Sequence, residues 1–140
     1  MKKVFLLFGI AVLLSGCENK EYDYTCKKMT QKESFKVTET LKFGFDNNKI
    51  YKFTSNITEE HNNDESVNNS YANYQNLYDN YNENQVIADY KKNEKTIIVN
   101  YYLDKADIDN MKIKLPYDFK LTKSDFIKSI EKLEFKCEEN

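Results

Sequence analysis

The chain has 140 residues, among them 21 lysines, no arginine and 23 acidic residues, for a formal charge of −2. An acidic balance argues against nucleic-acid binding, which needs clustered cations on phosphates. The absence of arginine removes the bidentate clamp that best holds phosphate or carboxylate.

Met1-Lys2-Lys3 is a short positive start, and Val4 to Leu14 is an apolar run broken only by Gly9. That run is too short for a bilayer, which takes about 20 apolar residues, and its flanks are those of a secretory signal. The small residues Ser15 and Gly16 then lead straight into Cys17. Leu14-Ser15-Gly16-Cys17 resembles the lipobox of bacterial lipoproteins. The resemblance implies that the signal peptide, residues 1–16, is removed and that Cys17 carries diacylglycerol and palmitate-type acyl chains. Two chains hold a protein stably where one does not, so the expected location is the extracytoplasmic face of the cell membrane. The alternative is an ordinary secretory signal with a cysteine near its end. Removing residues 1–16 leaves 124 residues and, without Lys2 and Lys3, a charge of −4. That length is enough for one domain with its own core. Residues 17–21 are expected to be a lipidated tether and residues 22–140 a single domain.

Tyr22, Tyr24 and Cys26 alternate and suggest a first strand over residues 22–30. Phe35, Val37, Leu41, Phe43 and Phe45 all fall on odd positions with polar residues between them, the period of a half-buried strand. Asp46-Asn47-Asn48 reads as a turn, because Asp and Asn tolerate left-handed backbone. Tyr51, Phe53 and Ile57 then complete a hairpin. Glu59 to Ser70 reads as a polar, Asn-rich connection holding the sole histidine, His61, in a solvated loop. Val67, Tyr71, Tyr74, Tyr78 and Tyr81 recur at helical steps of four and three. Val86, Ala88 and Tyr90 form a strand, Asn93-Glu94 a turn, and Ile97, Val99, Tyr101 and Leu103 the strongest strand. Asp104 to Asn110 is a polar connection with room for a helical turn. Met111, Ile113 and Leu115 alternate up to Pro116 and suit an edge strand. Thr122 as N-cap, Asp125 at N3 and the Leu121–Phe126 staple start a last helix with Phe126, Ile127, Ile130 and Leu133 on its buried side. Phe135 and Cys137 close with a short strand.

The pattern predicts an α+β fold: a mostly antiparallel sheet built from two hairpin-then-helix units, with two main helices packed on one face. Val86 to Tyr90, Thr96 to Tyr101, Leu103 to Ile108, Phe43 to Ile57 and the Phe126-to-Phe135 helix–strand resemble the small YehR-like lipoproteins. That resemblance implies an α+β domain behind a lipid anchor and carries over no catalytic residue.

Cys26 and Cys137 are an even pair in an extracytoplasmic setting and are expected to form a disulfide, two buried thiols being the alternative. Two isolated cysteines are a poor zinc site, and no metal or cofactor is expected. The acidic run around His61 has no calcium-loop spacing. Asp104, Asp107 and Asp109 read as solvated surface carboxylates. No phosphate loop, dinucleotide fingerprint, nucleophile elbow or zinc-protease motif is present. Tyr71, Tyr74, Tyr78 and Tyr81 either cover the sheet or offer a platform to an envelope protein or glycan. The expected role is a non-catalytic binding or envelope-assembly module. The alternative is a hydrolase acting on envelope polymers through surface carboxylates, Asp104 and Asp107 first.

Overall fold

The computed structural model describes residues 21–84, 86 and 88–140; the signal peptide, Cys17 and most of the tether lie outside the described residues. Elements follow the chain as β1 (Tyr24–Gln31), β2 (Phe35–Asp46), β3 (Lys49–His61), α1 (Asp64–Glu83), β4 (Ala88–Asn93), β5 (Thr96–Asp104), α2 (Lys105–Asn110), α3 (Lys123–Lys132) and β6 (Lys136–Glu139). The six strands form one sheet in the order β4-β5-β3-β2-β1-β6, and every neighbouring pair is antiparallel. The architecture is therefore α+β, as the alternating patterns predict.

Alternation sets the two faces of the sheet. Cys26, Leu41, Phe43, Phe53, Ile97, Val99 and Leu103 are fully buried on one face. Phe43 is the hub of that core. Its ring stacks on Tyr24 at 5.8 Å and Phe53 at 6.4 Å, and meets Phe126 of α3 edge-on at 5.0 Å. Helix α1 covers the β4–β5 side, with Tyr78 and Tyr81 against Tyr101 and with Tyr71 and Tyr78 against Tyr90. Its asparagines are weak helix formers, so the packing of the tyrosine stripe holds it. Helix α3 lies over the β2 end through Phe126, which also meets Phe45 at 6.3 Å. Among the described residues α1 and α3 share one face, and no helix lies on the other.

The β2–β3 hairpin turns on Asn47 and Asn48, both left-handed at φ 48° and 69°, where Asn is the least strained residue after Gly. At Gly44 the β2–β3 register shifts. A Cβ there would lie 2.8 Å from the Tyr51 ring, so the glycine lets that ring lie flat on the sheet. Asn63 caps α1 by accepting from Ser66 N at 2.8 Å. Thr122 caps α3 as its sequence predicts. Just after α3, Glu134 is left-handed at φ 71°, a position that suits Gly. Glu134→Gly is expected to raise stability by about 0.5–1 kcal/mol, read from the urea midpoint. The Lys28–Glu134 contact it removes is 3.9 Å long and largely solvated on the Glu134 side, so its loss subtracts little.

Three expectations need correction. Leu133, expected on the buried side of α3, is its C-cap and is 42 % exposed. Met111 to Leu115 is not a strand but irregular chain. Leu115 is buried while Met111 and Ile113 rest half-exposed on the core, and both sheet edges belong to β4 and β6. Apolar alternation there reflects an extended segment lying over the core without a ladder partner. The polar connection from Glu59 to Ser70 is also displaced: β3 continues to His61, α1 begins at Asp64, and only two residues separate them.

Candidate functional site

The helical layer does not close over the whole sheet. In the middle of the covered face, cross-strand register aligns Lys28, Glu39, Ile57, Val99 and Tyr90 in one row. Val99 is buried beneath α1, whereas Glu39 and Ile57 are half-exposed. Both sit on interior strands, so the layer above the sheet leaves a gap here that is partly open to solvent. Val37, two residues along the same face, is half-exposed as well.

Glu39 is the chemical centre of that gap. Among the described residues no hydrogen bond reaches its carboxylate. Burial holds its pKa above the ordinary glutamate value, against the opposing pull of the Lys28 ammonium. The phenols of Tyr74, Tyr78 and Tyr117 all feel the Glu39 charge, and burial is the main reason their pKa values are raised. Lys28 itself leans elsewhere, over the Phe135 ring at 5.6 Å and towards Glu134. The gap therefore offers a carboxylate that accepts no hydrogen bond from the described residues, set among phenols and aromatic faces.

Beside it, Glu59, His61, Ser66 and Tyr74 form a closed polar cluster. His61 Nδ1 is 2.7 Å from Ser66 Oγ and Nε2 is 2.5 Å from Glu59 Oε1. The Tyr74 hydroxyl donates to the other carboxylate oxygen, Oε2, at 2.6 Å. The His61 side chain is 0 % exposed and that of Glu59 6 %. The expectation of a solvated His61 is thus overturned: period two carries Ile57, Glu59 and His61 inward together, and the cluster ties the end of β3 to the first turn of α1. Serine, histidine and carboxylate in series have the connectivity of a nucleophilic triad. The surroundings do not suit the chemistry. The imidazole is sealed from solvent, and the amides nearest the serine, Ser66 N and Val67 N, are bonded to Asn63, which leaves neither of them for an oxyanion.

The remaining residues singled out in the sequence lie elsewhere. Cys26 and Cys137 are joined by a disulfide across the β1–β6 pair. Tyr78 and Tyr81 are buried, while Tyr71 and Tyr74 are half-buried on the same stripe. Asp104 and Asp107 form a capping box, each carboxylate accepting the other's backbone N–H at 2.9 Å, and Asp109 contacts Lys105 at 3.8 Å. No group of metal-ligating side chains occurs among the described residues. The sequence expectation does not include Glu39 or Ser66 as site residues, and it places Glu59 with His61 in a solvated acidic loop. The available signal was parity: Glu39 is the one polar residue in the odd series from Phe35 to Phe45, and Glu59 and His61 continue the odd series of β3.

Residues 1–17 match the model of the prokaryotic membrane lipoprotein lipid attachment site. No curated protein and no solved structure matches the chain, and the resemblance to the YehR-like lipoproteins gains no support. Among the described residues no helix is long and apolar enough to cross a membrane. The matched segment supports a bacterial lipoprotein, associated with its membrane through lipid.

Proposed function

We propose that the chain is a binding module on the extracytoplasmic face of the cell membrane, held there by diacylglycerol on Cys17, and that it acts without catalysis. Its ligand site is the gap at Glu39, and its ligand is a peptide or glycan of the envelope that presents hydrogen-bond donors. The observation that carries this reading is the half-buried Glu39 carboxylate, to which no described residue donates a hydrogen bond. A donor-bearing ligand would complete it, and the tyrosine rings would take the ligand's apolar side.

The test is Glu39→Gln in the lipidated protein. Folding raises the Glu39 pKa, so the folded state holds a proton that the unfolded chain releases. Glu39 therefore costs stability progressively as pH rises above the ordinary glutamate value. Glu39→Gln should remove that slope and raise stability at neutral pH, read as a higher urea midpoint. It should also abolish partner capture in crosslinking on intact cells. A variant that captures the same partner as the wild type would sink the reading. Cys17→Ser should release the protein from the membrane fraction or leave an uncut precursor.

One observation favours a hydrolase, the Ser66–His61–Glu59 series. Hydrolysis of an envelope polymer that disappears in Ser66→Ala while the fold persists would establish it. Asp104 and Asp107 are poorer candidates, because each already accepts a backbone N–H in the capping box.

A further inference from the structure

The face of the sheet turned away from the helices has a distinct composition. Register aligns Asn100, Asn56, Thr40, Lys27 and Lys136 in one row, and Tyr102, Thr54, Lys42, Thr25 and Glu138 in the next. Lys36, Lys52 and Lys91 lie on the same face by alternation, interspersed with Glu60, Glu138, Asp89 and Asp104, the last directly opposite Lys52. Lysines therefore outnumber carboxylates there, although the chain as a whole is acidic. At the hairpin end the Lys52 ammonium lies over the Tyr22 ring at 4.6 Å and the Tyr51 ring at 5.1 Å. Tyr102, across from Thr54, is 48 % exposed, and Met29, further along the face, is 66 % exposed.

The anchor enters at this face. The Tyr22 hydroxyl shares a 2.7 Å hydrogen bond with Thr54 Oγ1, so the first turn of described chain is pinned to the outer side of β3. Tyr22 follows Cys17 by five positions, a reach of at most about 17 Å. A lipid on Cys17 thus draws down the side of the sheet that carries Tyr22, and the helical layer points away.

We propose that the uncovered face of the sheet lies on the bilayer surface, with Tyr22, Tyr51 and Tyr102 at headgroup level and Lys27, Lys42, Lys52 and Lys136 against anionic lipid. This rests on the lipid-anchored reading. Tyrosine is enriched where a membrane meets water, because its ring is apolar and its hydroxyl is wet. Lysine stems lie along such a surface with the ammonium in the headgroup layer, and the attraction to anionic lipid acts within a Debye length. The same orientation leaves the Glu39 gap open on the side away from the membrane.

The chain contains no tryptophan, so a single introduced indole reports its own depth. Lipidated full-length protein carrying Tyr102→Trp, Met29→Trp or Leu77→Trp would be placed in vesicles of phosphatidylglycerol and phosphatidylcholine with brominated acyl chains. Leu77 is 44 % exposed on α1 and serves as the distant control. The reporters at 102 and 29 should shift to the blue and be quenched several-fold more than the one at 77. Lys42→Glu with Lys27→Glu, or high salt, should reverse that difference. Equal quenching at all three positions, or none at 102 and 29 in protein that still floats with the vesicles, would overturn the docking. So would emission at 102 that responds to soluble polyphosphate but not to vesicles, which would make the face a polyanion site. Protein that fails to float would overturn the anchor, and the docking with it.

Discussion

Reduction of the Cys26–Cys137 bridge should cost the folded protein about 4–5 kcal/mol and lower its melting temperature by on the order of 10–20 °C. The two cysteines are 111 residues apart in sequence, so the bridge closes a long loop in the unfolded chain and removes much of its freedom. It also fastens β6, a strand of four residues, to the edge of the sheet. Cys26 is fully buried, so a reductant should act slowly on the native protein and quickly in mild denaturant. Urea unfolding of the oxidised protein, the reduced protein and Cys137→Ser tests this. Coincident midpoints for all three would mean that the bridge is incidental to stability.

His61→Ala is expected to cost about 3 kcal/mol, because it removes a buried side chain and leaves two buried hydrogen-bonding groups without that partner. Without the imidazole, the Glu59 carboxylate remains buried with the Tyr74 hydroxyl as its hydrogen-bond donor, and the Ser66 hydroxyl loses its link to β3. Glu59→Gln keeps the shape and one acceptor, so it should cost less, about 1–2 kcal/mol. The double variant should be milder than the sum of the two, because the surviving partner is no longer stranded. Amide exchange in the first turn of α1 should rise in His61→Ala before exchange in β5 does. Strict additivity would show that the two residues do not act as a pair.

The parts of this fold that are legible in the sequence have a period and a burial requirement that agree. β2 and β5 alternate because one face is core, and the tyrosine stripe of α1 recurs at helical spacing because it lies on the sheet. Legibility failed in two ways. Between Met111 and Leu115 the pattern was real, but alternation signals extended chain with one side covered, and does not require a ladder neighbour. At His61 and Glu59 residue type outweighed position, although parity placed both inward. The candidate site was the least legible part. Glu39 lies inside an apolar series, where a carboxylate opposes local folding preference, and such a conflict is expected where a position serves function rather than stability. The gap around it depends on where the layer above the sheet stops, which no local pattern encodes.

The strand order carries a consequence for how the protein comes into being. β6 docks on β1, whose partner residue left the ribosome more than a hundred residues earlier. Three of the five ladders join strands consecutive in the chain, whereas this one cannot form before the C-terminal residues are made, and so non-local a pairing is slow to close. The last strand should thus stay unpaired until synthesis ends, and the covalent latch between Cys26 and Cys137 cannot be set before then.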